Sequence, residues 1–179
     1  MTNPYQSVPT WSHARERVYV VVDTPRGSRN KFKFDAELGA FTLAHILPLG
    51  AQFPYDFGSV PQTLAEDGDP IDVMVLADEP FFVGCVVDVL LIGVIEAEQT
   101  ADGKTKRNDR LLGVPVTSVN APCMADISDI AVETLDQIEL FFSAYNRAHG
   151  REFKPLHRRG AQAARQLVLR AAKRNEEQS

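Results

Sequence analysis

Glu66-Asp67-Gly68-Asp69-Pro70-Ile71-Asp72-Val73-Met74-Val75 interleaves carboxylates with an apolar alternation. Ile71, Val73 and Val75 recur with the period of a half-buried strand, and a purely solvated charge run would not carry them. Gly68 permits a tight backbone turn, and Pro70 biases Asp69 toward an extended conformation. Asp67, Asp69 and Asp72 are thereby aimed into one volume at the mouth of a strand over residues 71–76. Carboxylates crowded in this way repel one another, so a cation resolves the crowding and neutralising Asp72 is expected to relieve it. A hard divalent ion such as magnesium takes a few carboxylates and completes its shell with water and phosphate oxygens. A calcium loop of the helix–loop–helix type is excluded. Asp72 stands where that loop needs glycine, and Ile71, Val73 and Val75 fill ligand positions.

Outward from this turn the chain reads as strands. Residues 17–23 form a Val-rich run. In residues 30–35, Phe32 and Phe34 share one face while Lys31, Lys33 and Asp35 share the other. Phe41, Leu43 and His45 continue the alternation after a hairpin-length link. Further strands are predicted at 57–60, 85–91, 93–98 and 110–116, with Asp102-Gly103 as a turn inside a charged loop. After Pro122 the period changes. Leu135, Ile138, Phe142 and Tyr145 follow helical spacing, with Ser128 or Asp129 as cap and Gly150 as stop. A second helix over 161–173 puts Ala164, Leu167, Val168 and Ala171 on one face. Residues 1–16 read as a polar arm suited to wrapping a neighbour, and residues 174–179 as a frayed tail. The whole is a single α+β domain, rich in β: a closed or partly closed barrel with additional strands and two C-terminal helices.

Composition narrows the function. At 179 residues the chain holds one substantial core, and its net charge of −5 with no basic stripe argues against a nucleic-acid binder. Cys85 and Cys123 lack metal-ligand spacing, and Cys85 reads as a small buried hydrophobe. The N-terminus has no apolar signal region. The apolar run 83–95 is interrupted by Asp88 and is too short to span a bilayer. These features predict a soluble cytoplasmic protein with no membrane partner.

Asp67-Gly68-Asp69-Pro70-Ile71-Asp72-Val73 resembles the signature of the family I inorganic pyrophosphatases at every position. The similarity extends in order through Val18–Asp23, Lys31–Asp35, Phe53-Pro54-Tyr55-Asp56-Phe57-Gly58 and Phe141–Tyr145, and covers roughly residues 17–146. The resemblance implies an OB-like five-stranded barrel core, magnesium as cofactor, hydrolysis of pyrophosphate to two phosphates, and a homo-oligomer, commonly a hexamer in bacterial members. It implies Asp67 and Asp72 as metal ligands, with Asp23 beside them. It also implies Asp69 next to the attacking water, Lys31 on phosphate, and Tyr145 on the leaving phosphate. Metal-activated water and a basic cradle suit such chemistry.

The sequence departs from that pattern at several places. Asp23 stands for the usual Glu, Lys33 for an acid, His45 for an arginine, Phe57 for a tyrosine, and Asn146 for a lysine. The family's acidic pair between strands lines up with Gln99 and Thr100. Its later Asp-x-Lys lines up with Asn108-Asp109-Arg110, after a longer loop carrying Lys104, Lys106 and Arg107. Asp109, one residue from the expected position, is the predicted replacement ligand, with Glu98 the second candidate. Lys33, His45, Arg110 and Lys154 are the predicted phosphate contacts beside Lys31 and Tyr145. The altered basic set also admits a different phosphoanhydride substrate, or a low-turnover protein that binds metal or phosphate.

Overall fold

The computed structural model describes residues 3–12, 16–119 and 124–178. Pro122, Cys123 and Ser179, and the ends of the predicted arm at 1–2 and 13–15, lie outside the described residues. In chain order the elements are α1 (Pro4–Ser7), β1 (Trp11–Ser12), β2 (Arg17–Thr24), β3 (Asn30–Asp35), β4 (Ala40–Ile46), β5 (Asp56–Ser59), β6 (Asp72–Val75) and β7 (Val86–Ala101). They continue as β8 (Lys104–Arg107), β9 (Arg110–Pro115), a 3-10 turn (Ile127–Asp129), α2 (Val132–Ala148), β10 (Glu152–Gly160) and α3 (Ala161–Gln178).

Five strands close a ring in the order β2-β5-β6-β9-β7, because β7 pairs both with β9 and back with β2. Within the ring only β6 and β9 run parallel. β1, β8 and β10 add to the ring's edges, and β3 and β4 form a separate hairpin. This is the OB-like core expected from the sequence.

The alternation of side chains divides the apolar residues into two clusters. Val18, Val20, Val22, Val73, Val75, Val89, Leu91, Val94 and Leu111 belong to one. A cluster that runs unbroken across β2, β6, β7 and β9 of a closed ring occupies the lumen. Valine dominates because a small barrel has little room. α3 lays Ala164, Val168 and Ala171 against this cluster. The neighbouring residues on the same strands, Phe57, Met74, Ile95, Leu112 and Val114, point outward and are covered by Leu135, Ile138 and Phe142 of α2 and by Phe153. At about 25 cal/mol per Å² of apolar area removed from water, such burial is the main stabilising contribution. Backbones approach closely where Gly58 faces Val21, since a Cβ there would overlap the Val21 carbonyl.

Several expectations need correction. The two strands predicted at 85–91 and 93–98 are one, β7, with a register irregularity between Leu91 and Gly93. The bulge lets a single strand serve the ring with one half and β8 and β10 with the other. β10 was not expected: its basic composition and Pro155 argue against a strand. Yet its pairing with β7 shifts register between Pro155 and His157, where a proline is tolerated. Ser128 and Asp129 do not cap α2; they sit in the 3-10 turn capped by Asp126, and α2 begins after Ala131 with no side-chain cap. The tail does not fray at 174, because α3 continues to Gln178 with the Arg174 guanidinium donating to the Leu64 carbonyl at 2.9 Å. Cys85 is only half-buried. Among the described residues no helix is long and apolar enough to cross a membrane.

Candidate active site

The acidic turn joins β5 to β6. Gly68 has a φ of +98°, the left-handed region that a side chain would strain. The Asp69 amide donates to Asp67 Oδ1 at 3.2 Å, and the Ala65 amide donates to the Asp69 carbonyl at 2.8 Å. The Ile71 amide donates to Thr63 Oγ1 at 3.0 Å and pins the start of the strand. Asp72 is then the first residue of β6.

Basic residues from two strands meet the carboxylates of the site. From β9, Arg110 Nη1 reaches Asp72 Oδ2 at 2.7 Å and also engages the Asn108 side chain. Its guanidinium lies over the rings of Phe142, Phe153 and Phe57 at 5.0, 5.6 and 5.9 Å, a desolvated aromatic seat. From β3, Lys31 Nζ donates to the buried Asp23 at 2.6 Å and sits 4.2 Å from the Phe57 ring centre. Lys33, two residues on along the same face, holds both oxygens of Asp69 at 2.8 and 3.0 Å near solvent. Burial raises the pKa of Asp72, with Arg110 opposing the shift. Burial raises that of Asp23 too, against Lys31. Asp67 is raised by burial, with Asp72 and Asp69 adding to the shift. Tyr145 of α2 faces the same cleft, packed at a tilt against His149 with 4.7 Å between ring centres. Burial raises the pKa of its phenol, so the hydroxyl is protonated at neutral pH.

The structure thus gathers Asp23, Lys31, Lys33, Asp67, Asp69, Asp72, Arg110 and Tyr145 around adjoining cavities of about 260 and 580 Å³. Four predicted residues are not brought there. Asp109 faces away: it accepts from the Ala97 amide at 2.9 Å and from Arg107 at 2.7 Å, in a separate cavity beside Glu66 and Glu96. Asn108 and Arg110 line the cleft instead. Glu98 fails for the same reason, since Gln99 lines the cleft and the adjacent side chain on a strand points to the other face. On β7 the one-residue offset crosses the sheet, and in the link between β8 and β9 Asn108 and Asp109 line different cavities. Lys154 alternates with Phe153, which is buried against Arg110, so it points outward into solvent. His45 lines neither cavity and packs at a tilt against His149, with 4.6 Å between ring centres. Burial, and then the charges of His149, Arg151 and Lys31, lower its pKa, so it is no fixed cation.

Sequence reasoning missed Arg151, which lines the cleft with Lys104 and Lys106. It follows Gly150, the positive-φ residue that ends α2, so the helix stop foretold a change of direction but not its target. It also missed Tyr5, which lines the smaller cavity.

A family model described as Inorganic pyrophosphatase matches residues 20–176. The chain belongs to the inorganic pyrophosphatase family. An inorganic pyrophosphatase of Thermus thermophilus is 38% identical over 150 residues, 83% of either chain. One of Haloferax volcanii is 32% identical over 172 residues, 96% of this chain and 95% of its own. A crystal structure of inorganic pyrophosphatase from Thermus thermophilus superposes with a TM-score of 0.87 at 32% identity, covering 96% of this chain and 98% of that one.

For this pyrophosphatase-family chain the donor set decides what a metal could bind. Among the described cleft carboxylates, Asp23, Asp69 and Asp72 are each engaged by a basic side chain, whereas Asp67 makes no ion pair. Asp67 and Asp72 flank one turn, which suits a magnesium ion that completes its shell with water and substrate oxygens. Among the described residues no three His, Cys, Asp or Glu side chains converge to hold a metal unaided. The residues fit an ion held jointly with substrate. They do not fit a cluster of ions caged by protein carboxylates alone.

Proposed function

We propose that this chain hydrolyses inorganic pyrophosphate to two phosphates with magnesium as cofactor, and that it does so in the cytoplasm. The observation that carries the reading is the pair of adjoining cavities, sharing Asp69, that bring Asp67, Asp69 and Asp72 together with Lys31, Lys33 and Arg110. Asp67 and Asp72 would hold magnesium, which when bound offsets phosphoryl charge and favours ionisation of water. Lys31, Lys33 and Arg110 exchange their carboxylate partners for phosphate oxygens as substrate enters. Arg110 is pre-oriented by its aromatic seat, so little side-chain freedom is lost on binding. Asp69, near solvent and released from Lys33, accepts a proton from the attacking water. The new P–O bond forms as the bridging P–O bond breaks, and the Tyr145 hydroxyl donates to the departing phosphate. Self-association into a homo-oligomer belongs to the same proposal, supported by exposed Leu43, Ile46 and Leu49 along β4 and the turn after it.

A second reading is favoured by the basic end of the cleft. Beyond Asp67 and Asp69 it continues to Lys104, Lys106 and Arg151, and its volume of about 580 Å³ exceeds what two phosphoryl groups fill. A longer phosphoanhydride would use that space. Phosphate release from pyrophosphate, tripolyphosphate and a nucleoside triphosphate, with and without magnesium, separates the two. Pyrophosphate turned over only with magnesium supports the first reading. Preference for the longer substrates supports the second, and absence of turnover on all of them removes both.

A further inference from the structure

The segment expected to wrap a neighbour folds back on its own chain. Asn3 opens the single turn of α1, accepting from the Tyr5 amide at 2.9 Å, and the Val8 amide donates to the Pro4 carbonyl at 3.1 Å. Beyond it, the Thr10 hydroxyl donates to the Pro61 carbonyl at 2.9 Å, and Trp11 pairs with Val18 on β2. Gln62 anchors the turn. Its amide donates to the Tyr5 carbonyl at 3.2 Å and its side chain to the Val8 carbonyl at 3.0 Å. Gln62 has a φ of +53°, a conformation costly for a residue with a side chain. The arm's hydrogen bonds offset that cost. The contact is a built one, specified on both sides.

What the arm delivers is Tyr5. Its ring packs on Phe34 of β3 at 5.8 Å between centres. With Asn3 it walls a cavity of about 260 Å³ whose other walls are Asp23, Lys31, Lys33, Ser59, Asp69 and Asp72. Two of those are the lysines assigned to phosphate, and three are carboxylates of the site. Ser59 shares that cavity with the Tyr5 side chain. Across the cleft, Phe57 faces Lys31 with a bare ring and offers no donor.

We propose that Tyr5 is a substrate-binding residue, whose hydroxyl donates a hydrogen bond to a phosphate oxygen held between Lys31 and Lys33. Burial and the nearby Asp23, Asp72 and Asp69 all oppose ionisation of the phenol, which keeps it a donor across the working pH range. A neutral donor suits this place. Another cation would pair with the carboxylates, as Lys31 and Lys33 do, whereas a phenol contributes a hydrogen bond without drawing one of them away. The arm then acts as a third wall that reaches the bound anion.

The proposal rests on the cleft binding phosphate, and the test keeps the two apart. Tyr5→Phe retains the ring that packs on Phe34 and removes only the hydroxyl. The variant and wild type are compared by pyrophosphate KM and kcat with magnesium, by inorganic phosphate affinity in calorimetry, and by thermal melting. The expected result is an unchanged melting temperature, with phosphate affinity weakened about ten-fold and KM raised in parallel. Gln62→Ala, which loosens the arm without touching the cleft, should weaken phosphate binding in the same direction. Wild type that binds phosphate and turns over pyrophosphate, with Tyr5→Phe equal to it in both, overturns the role of Tyr5 alone. Wild type that does neither overturns the reading of the cleft and this proposal with it.

Discussion

Asp72→Asn and Asp67→Asn remove the same charge from the same turn, yet they should move stability in opposite directions. Asp72 engages Arg110, whose side chain is 6% exposed, against 25% for Asp72. Breaking a buried pair by removing one partner costs about 3–5 kcal/mol, because the remaining charge is stranded. Asp72 is not fully buried, and an amide oxygen can still accept one bond from Arg110, so about 2 kcal/mol is the working figure. For a chain of this size that lowers the melting temperature by roughly 4–8 °C. Asp67 makes no close ion pair among the described residues, and burial, with Asp72 and Asp69, raises its pKa although the charge of Arg110 opposes the shift. A raised pKa means the fold favours the neutral acid, so the ionised form costs stability once the pH passes that pKa. Asp67→Asn removes this cost at pH 7 and keeps the acceptor for the Asp69 amide. Its melting temperature should equal or exceed wild type. Repulsion among carboxylates, read from sequence alone, had suggested that neutralising Asp72 would stabilise. The ion pair with Arg110 reverses the sign. Melting without magnesium at pH 7 is the assay. An Asp72→Asn protein as stable as wild type, or both variants shifting the same way, would refute the reasoning.

Two further outcomes follow from the placement of side chains. Asp109→Asn should leave the magnesium dependence of turnover unchanged, while Asn108→Ala, which frees Arg110 on its cleft side, should raise KM several-fold; a magnesium titration of both variants checks this. His45, an exposed side chain, has its pKa lowered from 6.5 by partial desolvation and by the charges of His149, Arg151 and Lys31, so a small stability contribution present above pH 6.5 is lost as pH falls through the folded value. Wild type should therefore lose stability relative to His45→Gln on acidification from pH 7 toward pH 5, and parallel melting curves across that range would contradict the assignment.

The sequence by itself determined the barrel's strands and the acidic turn. Alternating valines in residues 17–24 and 71–76 can satisfy their period only as strands with one face buried. Gly68 and Pro70 fix the backbone of the turn from within it. The helix spacing of Leu135, Ile138 and Phe142 was equally local, and all three are buried on one face of α2. Tertiary structure decided the rest, because it depends on partners distant in sequence. β10 became a strand only through pairing with β7, against its own composition. Glu98 is one residue from Gln99 on β7, where alternation sends the two to opposite faces, while Asp109 and Asn108, in the link before β9, line different cavities. Tyr5 and Arg151 carry no local signal, being brought to the cleft by the Gln62 anchor and by the turn at Gly150. The pairing of Arg110 with Asp72, 38 residues away in sequence, converts a crowd of carboxylates into an ion-paired cleft, and only the parallel register of β6 and β9 puts the two side by side.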